Sequence, residues 1–193
     1  MFEPLNSSHI NAVTQLHIRS LTGLLHDLGP RATRAFYHGA VRSSSAIGYV
    51  CMQENSLLGF VLGSANPRGL RREILANSFF QTLFGICSGV IRKPSTLRCL
   101  LSSFLPDNED YDSQAAELIY LAVDQDKTSS GVGRQLVEHF SQKLRESGVK
   151  AYELSVDVDN GNAIRFYDRL GFVEVSRYRE FDVEHKRYRM ELV

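Results

Sequence analysis

The sequence predicts one α/β domain, a mixed sheet with helices on both sides, and two observations carry that reading. From residue 115 onward, strand-like and helix-like patterns alternate: strand 115–123, helix 131–147, strand 150–158, helix 161–169, then strands near 172–182 and 186–192. Ahead of them, 46–53 and 57–64 are short β-rich runs joined by Glu54-Asn55-Ser56, which suits a hairpin. A length of 193 residues fits a single domain, 1–193, able to bury a core.

The elements follow in order. Residues 8–24 place Ile10, Val13, Leu16, Leu21 and Leu24 at mostly helical spacing, with Asn6, Ser7 and Ser8 as available caps. Gly29-Pro30 breaks that pattern and opens a second helix over about 30–43. Residues 66–112 form a helical insertion. Six basic side chains there (Arg68, Arg71, Arg72, Arg92, Lys93, Arg98) stand against one acid, Glu73, before residue 106. Leu75, Phe79, Leu83, Ile86 and Val90 make one apolar helical stripe that Pro94 stops, and a shorter apolar helix follows at about 95–105. Pro106-Asp107-Asn108-Glu109-Asp110 is an acidic loop. In the second half, Val132, Leu136, Val137, Phe140 and Leu144 give the long helix its apolar face, and Gly148 caps its end.

Composition excludes several classes. Hydrophobic residues are 43% and charged residues 23%, as in a soluble globular protein. Net charge is zero, so a whole-molecule electrostatic case for nucleic acid is absent. Cys51, Cys87 and Cys99 are odd in number and widely spaced, which reads as buried thiols of a reducing compartment. The six histidines show no HxxxH or HxH spacing, so no metal is expected. Met1-Phe2-Glu3-Pro4 starts no signal peptide, and no apolar run reaches the roughly 20 residues that span a bilayer, so a cytoplasmic location is expected.

The chemistry concentrates between Glu117 and Phe172. Gly131-Val132-Gly133 follows a strand and opens a helix. Glycines there let backbone approach a ligand closely, and the first-turn N–H groups lack intrahelical partners at the positive end of the helix dipole. That suits a pyrophosphate, with Lys127 and Arg134 adding charge. It is not a P-loop, because GK[ST] is missing, nor a dinucleotide GxGxxG, because residue 136 is Leu. The bland alternative is a tight turn.

The second half is more specific. Asn160, Ala163, Phe166-Tyr167 and Leu170-Gly171-Phe172, after a strand Glu117–Val123 and the glycine turn, resemble the GNAT superfamily of acyl-CoA-dependent N-acetyltransferases. The resemblance is strong over 115–173, holds only in element order over 1–64 and 172–192, and leaves 66–112 unexplained. It implies a central, mixed, mostly antiparallel sheet splayed in the middle beside Leu121–Val123, flanked by helices, with a helical insertion between the third and fourth strands. It implies acetyl-CoA as co-substrate. The backbone of Leu121, Ala122 and Val123 would pair with the pantetheine arm, and the N–H groups of Ser129, Ser130, Gly131, Val132, Gly133 and Arg134 would hold the pyrophosphate. Asn160 would hydrogen-bond the pantetheine region, Ala163 would be among the cofactor-binding residues, and Tyr167 would point at the thioester sulfur. Thr128 departs from the family, which usually carries Arg or Gln there; Lys127, one residue away, is the substitute.

Amine chemistry defines the remaining roles. An alkylammonium near pKa 10 must lose a proton before it attacks a carbonyl, and the departing thiolate benefits from a donor. Tyr167 has the hydroxyl for the second role, against a reading as core aromatic. Glu117, a lone charge on an otherwise apolar strand, is the candidate base, against a reading as a solvated strand residue. Glu153 and Asp157, opposite Tyr152, Leu154 and Val156, are substitute bases or amine anchors, or plain solvated residues. No Cys lies in the motif, which points to direct attack in a ternary complex.

The expected function is acetyl transfer to a primary amine of a small molecule, an amino sugar or amino acid derivative. A protein lysine or N-terminus is one rival acceptor; a non-catalytic acyl-CoA-binding sensor and a nucleic-acid-binding domain are rivals of other classes. The insertion reads as extra cover for the sheet or acceptor cleft, as a homodimer contact, or as a membrane-surface helix through 68–104.

Overall fold

The computed structural model describes residues 1–74, 76, 115–124, 131–180 and 183–192. The expected helices at 75–93 and 95–105 and the loop 106–110 lie outside these, save that residues 67–74 are helical. The chain starts with β1 (Phe2–Pro4) and a 3-10 turn (Ser7–His9), capped by Asn6 Oδ1 accepting from Ser8 N at 2.9 Å. Helices α1 (Ile10–Ser20), α2 (Leu24–Leu28) and α3 (Pro30–Val41) follow. The helix expected over 8–24 thus divides, because Leu21 turns extended at φ −117 and ψ 151. Strands β2 (Ala46–Gln53) and β3 (Ser56–Ser64) form the expected hairpin, with Glu54 and Asn55 both at positive φ.

Then come β4 (Ala116–Val123), α4 (Val132–Glu146), β5 (Ala151–Asp157), α5 (Gly161–Leu170), β6 (Val173–Glu180) and β7 (Val183–Glu191). Strand β1 was not expected, because three residues carry no periodicity. The seven strands order as β1-β2-β3-β4-β5-β7-β6. Every neighbour pair is antiparallel except β4–β5.

That parallel pair has only two rungs, Ala116↔Tyr152 and Glu117↔Glu153. Beyond them β4 and β5 part, so the sheet splays beside Leu121–Val123. On its other side, β4 pairs with β3 through Leu62↔Tyr120 and then Gly63↔Leu118, which leaves Ile119 as an extra residue. This bulge reverses the alternation of faces. Ala116, Leu118, Leu121 and Val123 pack with the core under α4 and α5, whereas Tyr120 and Ala122 pack with the core under α1 and α3. Glu117, between Ala116 and Leu118, therefore shares the α1/α3 side with Tyr120.

The α4/α5 core is apolar, built around Leu136, Phe140, Tyr152, Leu154 and Phe172. The α1/α3 core holds a polar pair. His17 is fully buried with Nδ1 2.8 Å from the Tyr37 hydroxyl. Burial, helped by His26, lowers its pKa from 6.5 to about 4, so the ring stays neutral at pH 7. Among the described residues no helix is long and apolar enough to cross a membrane.

Candidate active site

The glycine turn and the Phe-Tyr motif meet in space. Gly131 caps α4 in the left-handed region, at φ 105 and ψ −7, a conformation other L-residues resist. Two residues on, a Cβ at Gly133 would stand 3.3 Å from the Phe166 ring and 3.4 Å from Val123 Cγ2. Strand β4, the start of α4 and helix α5 therefore close on one another at Gly133. The backbone N–H groups of the first turn of α4 have no acceptor within the helix, so they are able to receive an anion beside Val123. The Arg134 side chain is not aimed there by any observed contact; it is exposed and pairs with Glu138 at 3.3 Å. Lys127, Thr128, Ser129 and Ser130 lie outside the described residues.

Asn160 and Ala163 serve the helix locally, since Asn160 Oδ1 accepts from Ala163 N at 3.1 Å and caps α5. Tyr167 lies on the inner face of α5, nearly buried and edge-on to Phe166 and Phe172. Burial, helped by Tyr152, pushes its pKa well above the ordinary phenol value. The hydroxyl keeps its proton at neutral pH, so it can donate a hydrogen bond and cannot act as a base. Its neighbours also bear out a core aromatic, and the two roles are compatible.

Glu117 corrects one expectation: it is not a lone charge. Its Oε1 lies 2.9 Å from Arg187 Nη1, while Oε2 has no hydrogen-bond partner among the described residues. Arg187 Nε donates to Glu153 Oε2 at 2.8 Å, and Arg187 Nη1 donates to Ser155 Oγ at 2.8 Å. Arg189 Nη1 reaches Glu153 Oε1 at 3.3 Å, and Tyr178 donates to Ser155 Oγ at 2.8 Å. Asp157 stands apart: its Oδ1 accepts from Asp159 N at 2.9 Å and turns the chain into α5.

Sequence reasoning missed Arg187, Arg189, Ser155 and Tyr178. The available signal was the alternation in β7, which puts Arg187 and Arg189 on the face opposite the core residue Tyr188. Among the described residues no group of three or more His, Cys, Asp or Glu could hold a metal ion. Cys51 is a buried free thiol, and Cys87 and Cys99 lie outside the described residues.

The sheet parts between β4 and β5, with the first turn of α4 beside Val123, Tyr167 buried on the α4/α5 side and the Glu117–Arg187–Glu153 group on the opposite face. The acetyltransferase (GNAT) family model matches residues 10–172. The chain belongs to the GNAT acetyltransferase family.

Among curated relatives, the ribosomal protein bS18-alanine N-acetyltransferase of Escherichia coli strain K12 is 39% identical over 66 residues, 34% of this chain and 45% of that protein. The chain thus matches just under half the length of that relative. A mycothiol acetyltransferase of Propionibacterium freudenreichii is 40% identical over 60 residues, 31% of this chain and 19% of that protein. Among solved structures, the ribosomal-protein-S18-alanine N-acetyltransferase from Escherichia coli superposes with a TM-score of 0.61 at 18% identity, over 100% of this chain and 93% of that one. Arabidopsis thaliana NAA60 in complex with acetyl-CoA gives 0.59 at 14% identity, over 100% and 98%. At such identities the GNAT superpositions speak for the fold alone.

Proposed function

We propose that this GNAT domain moves an acetyl group from acetyl-CoA to a primary amine by direct attack in a ternary complex. The observation that carries the reading is the fork of β4 and β5, with Glu117 at its apex. One carboxylate oxygen is held by Arg187, and the other has no hydrogen-bond partner among the described residues. An acceptor ammonium entering the fork could give its proton to Glu117 directly or through water. The free amine would then attack the thioester carbonyl, whose oxygen would be polarised by an N–H of Leu121–Val123; as the C–S bond breaks, the extra proton left on the nitrogen would pass through water to the departing thiolate or to solvent.

Backbone of Leu121, Ala122 and Val123 would pair with the pantetheine arm. The N–H groups of Gly131, Val132, Gly133 and Arg134, continuing from Ser129 and Ser130, would hold the pyrophosphate. Asn160 and Ala163 would flank the arm. Tyr167 would donate to the departing thiolate. Its raised pKa makes full proton transfer to a thiolate near 8.5 uphill, so its contribution is the hydrogen bond itself.

The acceptor we favour is a small-molecule amine, an amino sugar or amino acid derivative. A second reading, the α-amine of a protein N-terminus, draws support from the likeness to the bS18-alanine N-acetyltransferase. One experiment addresses both. Thiol release from acetyl-CoA is followed across small amines, a free lysine, and a peptide with N-terminal alanine, with Tyr167→Phe in parallel. Turnover with a small amine and a roughly 10- to 100-fold loss in Tyr167→Phe is expected. An unchanged rate in Tyr167→Phe removes it as donor. Turnover of the peptide alone moves the acceptor to protein. Thermal stabilisation by acetyl-CoA with no turnover favours a sensor.

A further inference from the structure

The last rung before the fork sets Glu117 beside Glu153 on one face of the sheet. Two adjacent carboxylates, 13% and 10% exposed, are unfavourable without a cation between them. Arg187, on the third strand of this junction, supplies it. Its side chain is only 4% exposed, and it donates through Nη1 to Glu117 and through Nε to Glu153. A planar guanidinium presents separate donors in a rigid fork and so can address two strands at once. Ser155 Oγ, which accepts from both Arg187 and Tyr178, fixes the guanidinium from the side.

We propose that Arg187 is the positioning residue of the transfer site: it bridges Glu117 and Glu153 where β4 and β5 part, and it holds Glu117 by Oε1 so that Oε2 meets the acceptor ammonium. The positioning role rests on the reading of Glu117 as base; the bridge itself does not. Among the described residues the other titratable groups around it are Tyr120 on β4, with Arg71 acting on it, Tyr178 and Glu180 on β6, and Arg189 on β7.

The test uses the full chain as Arg187→Gln and as Arg187→Gln with Glu153→Gln. In the single variant two carboxylates face each other with Arg187 removed, so each disfavours ionisation of the other. The native state then holds a proton to higher pH than the unfolded chain does, and stability is lost as pH rises. Its melting temperature is expected to fall by roughly 5 °C more than that of the unsubstituted protein between pH 5 and 8. Removing the Glu153 charge restores the original pH dependence.

Activity separates positioning from stability. In thiol release, kcat/KM for the amine drops about tenfold or more in Arg187→Gln, while KM for acetyl-CoA stays within about twofold. The double variant recovers the melting behaviour but not kcat/KM. If kcat/KM recovers together with the melting temperature, Arg187 is structural only and the positioning role is overturned. An unchanged pH dependence of melting in Arg187→Gln overturns the bridge. An unsubstituted protein that turns over no amine, with the pH pattern intact, overturns the positioning role through the failure of the transfer reading and leaves the bridge standing.

Discussion

Under α4 and α5 the sheet presents Leu118, Tyr152, Leu154 and Tyr188 to Leu136, Phe140 and Phe172, and the buried hydroxyls of Ser141 and Tyr152 satisfy each other at 2.8 Å. The opposite face is built differently. Over β2, β3 and β4, α1 and α3 cover an apolar core that contains the neutral His17–Tyr37 pair. Over β5 and β7 the same face carries Glu153, Ser155, Arg187 and Arg189, with Glu117 at the boundary. One side of the sheet supplies cohesion and buries Tyr167. The other side carries the Glu117–Arg187–Glu153 ion pairs and the buried His17. The bulge at Ile119 lets one strand serve both, because it turns Glu117 and Tyr120 to the same side although they are three residues apart.

The largest expected effect breaks the cohesive side. Phe140 is fully buried and edge-on to Tyr152 at 5.3 Å. Phe140→Ala removes most of a ring that its neighbours cannot refill, and is expected to lower stability by about 3–5 kcal/mol in denaturant unfolding. The comparable truncation Tyr120→Ala sits at the edge of the other core and should cost less. Equal losses would show that cohesion is shared evenly between the faces.

The second effect belongs to the polar side and is a matter of pH. His17 titrates near 6.5 when unfolded and at about 4 when folded, a difference worth about 3 kcal/mol. A depressed native pKa means the unfolded chain binds the proton first. The contribution is therefore fully present above pH 6.5 and is lost as pH falls from 6.5 to about 4. Unfolding free energies measured across that window should decline in the unsubstituted protein. They should decline less in the double replacement His17→Leu with Tyr37→Phe, which removes both polar partners together. The same decline in both proteins would place the acid-sensitive group elsewhere.

How much of this was legible in the sequence follows the same division. The segment from β4 to Phe172 could be read because its signals are local: a period that switches between two and 3.6, a glycine before a helix, and Leu-Gly-Phe after one. The hairpin was equally plain, since Asn55 tolerates the positive φ its turn requires. The bulge was not legible. After Glu117 the strand Leu118-Ile119-Tyr120-Leu121-Ala122-Val123 carries no charge on either face, so a one-residue slip beyond Leu118 strands no charged side chain. Nor was the partner of Glu117, because Arg187 lies 70 residues away and only strand order, with β7 set between β5 and β6, brings them together. The His17–Tyr37 pair failed for a like reason: each residue fits its own helix, and nothing local marks them as mates.

The smallest effect tests the first turn of α4, beside Val123. At Gly131 an added Cβ would find, among the described residues, only Gln135 Nε2, at 3.9 Å, so the expected cost of Gly131→Ala is conformational. Holding an L-residue at φ 105 costs about 1–2 kcal/mol. If the first turn of α4 binds the pyrophosphate, part of that strain will be relieved by rotating its N–H groups out of line. Acetyl-CoA affinity, measured by calorimetry, should then weaken several-fold while the apolar core, and with it the denaturant m-value, stays unchanged. Unchanged affinity together with the predicted loss of stability would mean that the turn shapes the helix without holding the cofactor, and the anion site would have to be sought among the N–H groups further into α4.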